Sequence, residues 1–98
     1  MFNLMFQIKS VLQVLDLGNN NVTEKGMNMF APCLRRMIAL EELILSANPF
    51  GDEGALTLVP YLEDLDHIRR LDLSFSNVTM KSLSKMLELG VNAAVFCI

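Results

Sequence analysis

"LQVLDLGNNNV", residues Leu12 to Val22, sets leucines at positions 12, 15 and 17, then three asparagines, then a valine. The same template returns 28 residues later as "LEELILSANPF" (Leu40 to Phe50), and again as "IRRLDLSFSNV" (Ile68 to Val78). At that shift Leu12, Leu40 and Ile68 coincide, as do Leu15, Leu43 and Leu71, then Leu17, Leu45 and Leu73, and finally Val22, Phe50 and Val78. Leucines two apart share one face of a strand. The second half of each unit repeats as well, aligning Met27 with Ala55 and Leu83, Phe30 with Leu58 and Met86, and Ala31 with Val59 and Leu87. Those positions are spaced i, i+3, i+4, which is one face of a helix. Each unit therefore reads as strand, turn, helix and return, over approximately 12–39, 40–67 and 68–95.

One such unit cannot cover its own apolar face. Stacked copies lay their strands side by side in a parallel sheet with helices along the opposite side, and enclose the leucines between them. The turn that leaves each strand carries backbone N–H and C=O groups inward, and an amide side chain offers both an acceptor and donors to them. Asn20 and Asn48 stand at that offset. In the third unit Ser76 takes the place and Asn77 follows one residue late, so this turn is expected to be looser or slipped by one residue.

The pattern LxxLxLxxNxL, met by Leu12, Leu15, Leu17, Asn20 and Val22 and again by Leu40, Leu43, Leu45, Asn48 and Phe50, resembles the leucine-rich repeat family. The period, and "FGDEGALTLVPYL" after the second strand, are similar to its ribonuclease-inhibitor-like subtype. The resemblance spans roughly residues 12 to 90 and implies an α/β solenoid, a partial horseshoe with strands on the concave side and helices on the convex side. It implies a non-enzymatic scaffold that binds another protein, without cofactor or metal. Similar repeats also occur in a GTPase-activating family, which makes a GTPase regulator the first alternative. A ligand-sensing or autoinhibitory repeat tail of an innate-immune receptor is the second, although the chain has no P-loop.

The positions between the strand leucines must point out of the sheet, away from the helices. Down the stack they read Val14, Glu42, Arg70, then Asp16, Ile44, Asp72, with Phe75 at the following turn. These seven residues are the expected partner-binding face. Glu41 and Glu42 fall opposite Arg69 and Arg70, which predicts ion pairs between neighbouring strands. Val14, Ile44 and Phe75 are the apolar groups that such pairing leaves exposed. Asp16 and Asp72 share one column across Ile44, about 10 Å apart at ordinary strand spacing, too far for paired acid and base.

The 98 residues are 52% hydrophobic with a net charge of −3. That suffices for a single domain or a fragment of one. No basic stripe points to nucleic acid. The apolar start "MFNLMFQIKSVLQVL" lacks a basic leader region and is interrupted by Lys9 and Asp16, so neither a signal peptide nor a membrane span is expected. Cys33 and Cys97 lie far apart, in no metal-binding or disulfide pattern, which suits a reduced cytoplasmic setting. His67 has no second histidine or nucleophile aligned with it and reads as a loop residue. "NVT" occurs at Asn21 and at Asn77; a turn asparagine followed by a helix-capping threonine accounts for it, ahead of a glycosylation acceptor.

Thr23 and Thr79 are expected N-caps, with Gly51-Asp52 in that role in the second unit. Pro32 and Pro60 should end or kink their helices, and Gly90 should terminate the third. Residues 1 to 11 align with 29 to 39 as the end of a preceding repeat, while the alternation of Phe2, Leu4, Phe6 and Ile8 also fits an N-terminal capping strand. Phe96 falls on the first strand position of a fourth unit. Neither end shows a polar cap, so self-association through the uncapped ends is expected.

Overall fold

Strands β1 (Val14–Asp16), β2 (Glu42–Ile44) and β3 (Arg70–Asp72) pair in parallel in the order β1-β2-β3, and β4 (Phe96–Cys97) adds to β3. The computed structural model describes residues 11–90 and 96–97. Leu15 lies opposite Leu43 and Leu43 opposite Leu71, so the apolar columns are in register over the 28-residue spacing. Phe96 pairs with Leu71, not with Ile68 as the spacing predicts, so the return to β4 is three residues shorter than the earlier ones. Both readings of residues 1 to 11 fall almost wholly outside the described residues.

On the other side of the leucines lie α1 (Glu24–Phe30), α2 (Gly51–Leu56), α3 (Val59–Leu62) and α4 (Met80–Glu88), with a 3-10 helix over Ala31–Arg36. The prolines explain why the first two units have divided helices and the third does not. Pro32 and Pro60 sit in the first turn of the 3-10 helix and of α3, where a missing N–H leaves no bond unmade. Without a proline, α4 runs unbroken to Gly90, which adopts φ +91 beyond its end. Thr23 accepts from the Gly26 N–H and Thr79 from the Lys81 N–H, as N-caps do. Leu43, Leu45, Leu71 and Leu73 meet Met27, Leu58 and Met86 in the core. Each such side chain contributes roughly 1.5–3 kcal/mol of burial.

The three turns after the strands share one left-handed position. Asn19, Ala47 and Phe75 take φ of 56, 57 and 56°. Asn21 and Asn77 are also left-handed, at 54 and 61°, a region asparagine tolerates. Pro49 holds the corresponding place in the second turn and is confined to negative φ, and there Gly51 turns left-handed instead, at 64°.

Asn48 is fully buried within the second turn. Its Oδ1 accepts from the backbone N–H groups of Asn20 and Val22, both at 2.9 Å. Its Nδ2 donates to the carbonyls of Leu17 and Leu45, both at 2.9 Å, and lies 3.2 Å from that of Ser46. Ser76, also buried, occupies the same place in the third turn: its Oγ accepts from Asn48 N at 3.2 Å and lies 3.1 Å from the Leu45 and Ser74 carbonyls. The third turn is thus neither slipped nor handed to Asn77. A hydroxyl both accepts and donates, and that covers the two links to the second unit. Asn20 is exposed, and among the described residues its side chain donates only to the Gly18 carbonyl, at 3.0 Å.

The Gly51-Asp52 pair does not cap α2. Its N-cap is Phe50, with no side-chain bond. Asp52 turns instead to the next unit, where Oδ1 accepts from the Thr79 N–H at 2.9 Å and Oδ2 from the Thr79 hydroxyl at 2.7 Å, while the Ser82 hydroxyl donates to Oδ1. Hydrogen bonds from Ser82 and then Thr79 pull the Asp52 carboxyl from 3.8 down to about 2. Beside it Lys81 reaches Glu53 at 3.4 Å.

Replacing Asn48 with Ala strands several backbone groups inside the protein and should cost about 1–3 kcal/mol. Asn20→Ala, at an exposed site, should cost less than half as much, and a denaturant titration giving equal midpoints for the two variants would contradict the assignment. Because the folded pKa of Asp52 lies below its unfolded value, its contribution is complete above about pH 4 and is lost as the pH falls towards about 2. Asp52→Asn should therefore flatten the pH dependence of the unfolding midpoint in that window while leaving its slope near neutrality unchanged.

Candidate protein-binding face

Strand alternation turns Val14 and Asp16, Glu42 and Ile44, and Arg70 and Asp72 to the side of the sheet away from the helices, in the pairing Val14-Glu42-Arg70 and Asp16-Ile44-Asp72. Val14 is 48% exposed, Ile44 half-buried, and Phe75 90% exposed at the turn that follows β3.

The charged residues form a connected lattice. Arg69 reaches Glu41 through Nε at 3.1 Å and Glu42 through Nη2 at 2.8 Å. Arg70 reaches Glu42 at 3.3 Å and Asp72 at 3.2 Å. The Glu41–Arg69 and Glu42–Arg70 pairs follow from the repeat. The Arg69–Glu42 and Arg70–Asp72 links do not come from the 28-residue alignment, although residues two apart on a strand share a face and would have suggested the second.

Asp72 is almost wholly buried and also accepts from Ser74 through its N–H at 3.0 Å and its hydroxyl at 2.5 Å. Asp16, in the same column but exposed, accepts from the Gly18 N–H at 2.9 Å. A Cβ at Gly18 would come within 3.1 Å of that carboxylate and 3.2 Å of Ser46 Oγ, so glycine keeps this turn open. Ile44 stands between the two aspartates in the register, so they do not pair with each other.

At the N-terminal ends of the strands a recess of about 320 Å³ is lined by Gln13, Ile38, Ala39, Glu41 and His67. Among the described residues no three His, Cys, Asp or Glu side chains come together as a metal site, and no helix is long and apolar enough to cross a membrane. Cys33 is a buried free thiol on the helix side, and burial raises its pKa.

The two arginines should differ in their contribution to stability. Arg69→Met removes pairs made by a side chain 63% exposed and should change stability by less than about 0.5 kcal/mol. Arg70→Met withdraws a guanidinium from the nearly buried Asp72 and should cost about 1–3 kcal/mol. Thermal unfolding of the two variants side by side measures the difference.

Comparison with known proteins agrees with this geometry. A Leucine Rich repeat family profile matches residues 9–31 and 39–59. The ribonuclease inhibitor of Sus scrofa is 38% identical over 72 residues and that of Mus musculus 36% identical over 72, each match covering 72% of this chain. The chain spans 16% of the length of these relatives. With a 28-residue strand register, a buried turn asparagine and sequence identity that extends over most of its length, the chain belongs to the leucine-rich repeat family, in its ribonuclease-inhibitor-like branch.

Proposed function

We propose that this chain is a protein-interaction module, one domain or part of one, whose units form a segment of a horseshoe-shaped solenoid with the strands on its concave side. A protein partner docks on that side against Val14, Asp16, Glu42, Ile44, Arg70, Asp72 and Phe75, and no chemistry is performed there. The observation that carries this reading is Phe75. Its φ of 56° is uncommon for a bulky side chain, and its ring is 90% exposed. The repeat dictates the backbone, since Asn19 and Ala47 share it, but nothing in the fold calls for an aromatic ring at this place. An exposed ring on a rigid turn, next to a charged lattice with half-buried Ile44 at its centre, has the composition of a binding anchor with a polar surround.

The relatives' name makes a ribonuclease the first partner to test, followed by proteins cross-linked through a photoreactive group at position 44. Ile44→Glu and Phe75→Ala should each weaken binding by about 2 kcal/mol, the size of a hot-spot loss, with little effect on folding. Lys25→Glu, on α1, should leave affinity within about 0.5 kcal/mol of the parent. Calorimetry in which binding survives Ile44→Glu but is lost on changing the helices would move the site to the other side of the molecule.

A further inference from the structure

The lattice on the strand side is unevenly satisfied. Three carboxylates, Glu41, Glu42 and Asp72, are joined to two guanidiniums, Arg69 and Arg70. Both oxygens of Glu42 are engaged, one by each arginine. Both oxygens of Asp72 are engaged too, by Arg70 and by Ser74. Glu41 gives only Oε1, to Arg69 Nε. Its Oε2 has no partner among the described residues, and Glu41 lines the recess at the N-terminal ends of the strands.

The other polar groups of that recess, the Gln13 amide and the His67 imidazole, make no side-chain hydrogen bond among the described residues. Ile38, 61% exposed, and Ala39 supply apolar lining. The recess adjoins the strand face through Arg69, which binds both Glu41 in its lining and Glu42 on the face.

From the unengaged Glu41 oxygen and its place in the recess we infer that the recess is a subsite for an arginine side chain of the docking protein. The guanidinium donates to Glu41 Oε2 and to the side-chain amide oxygen of Gln13, and its aliphatic stem lies along Ile38 and Ala39. A forked donor suits two acceptors presented together, which favours arginine over the single ammonium of lysine. The subsite rests on the protein-binding reading of the face, but its test needs no partner.

The whole chain, labelled with ¹⁵N, is titrated with N-acetyl-arginine methylamide and, separately, with the neutral citrulline and the lysine counterparts. The arginine compound should shift the Gln13 side-chain amide and the His67 ring signals saturably at millimolar concentration, with lysine weaker and citrulline about fivefold weaker or more. Glu41→Gln should weaken the arginine compound by a similar factor while leaving the rest of the spectrum in place, and Ile38→Ala should weaken arginine and lysine alike. Equal shifts from arginine and citrulline, shifts centred away from Gln13 and His67, or a Glu41→Gln protein with unchanged affinity would overturn the subsite. Failure here leaves the Ile44→Glu test of the face untouched, and failure there leaves this titration untouched.

Discussion

Everything in the strand layer depends on hydrogen bonding of backbone groups that the turn carries inside. Stacking parallel strands over a leucine core brings N–H and C=O groups to a place water does not reach, and each group left unmade would cost on the order of 1–3 kcal/mol. Asn48 meets this need for two units at once, joining Asn20, Val22 and Leu17 of the first to Leu45 of its own. Ser76 does the same with a smaller group, binding Asn48 and Leu45 of the unit before it. The direction is the same for both: Asn48 and Ser76 each reach back to the preceding unit. Among the described residues Asn20 marks the outermost ladder position, and its side chain bonds only Gly18 there.

Because the turns share one left-handed position, the residues displayed beside them vary without disturbing the fold. Asparagine, alanine and phenylalanine occupy the same left-handed position in successive units. The strand side likewise carries valine, glutamate and arginine in one column and aspartate, isoleucine and aspartate in the next. A repeat built in this way separates the residues that fold from the residues it displays, and the ion lattice fixes the long side chains so that they present a defined surface.

Much of this was legible in the sequence because the repeat is periodic. The leucine columns, the capping threonines, the prolines that divide the helices and the Glu42–Arg70 pairing all follow from aligning residues at one spacing. What escaped prediction is what the units do not share. Asp52 reads as a local cap because its partners Thr79 and Ser82 have no counterparts at Gly51 and Gly54, so repetition does not reveal the bond. The serine in the third unit left the register of its turn open in the sequence, because which residue bridges depends on the groups that the neighbouring unit presents, here Asn48 N–H and the Leu45 carbonyl. The pairing of Phe96 with Leu71 likewise depends on the length of the return after α4, which no earlier unit shares.

The Asp52 bonds make the joints between units unequal. At the joint between the first and second units the corresponding positions are Glu24, Gly51 and Gly54. A hydroxyl-bearing residue cannot enter at Gly54 without displacement, since a Cβ there would lie 2.5 Å from that of Phe50. This joint therefore rests on apolar packing and the Asn48 bridge, while the next has a carboxylate strap along the helix layer as well. Pulled from its two ends, such a molecule would not yield evenly: the second and third units would stay together as one block after the first had peeled away.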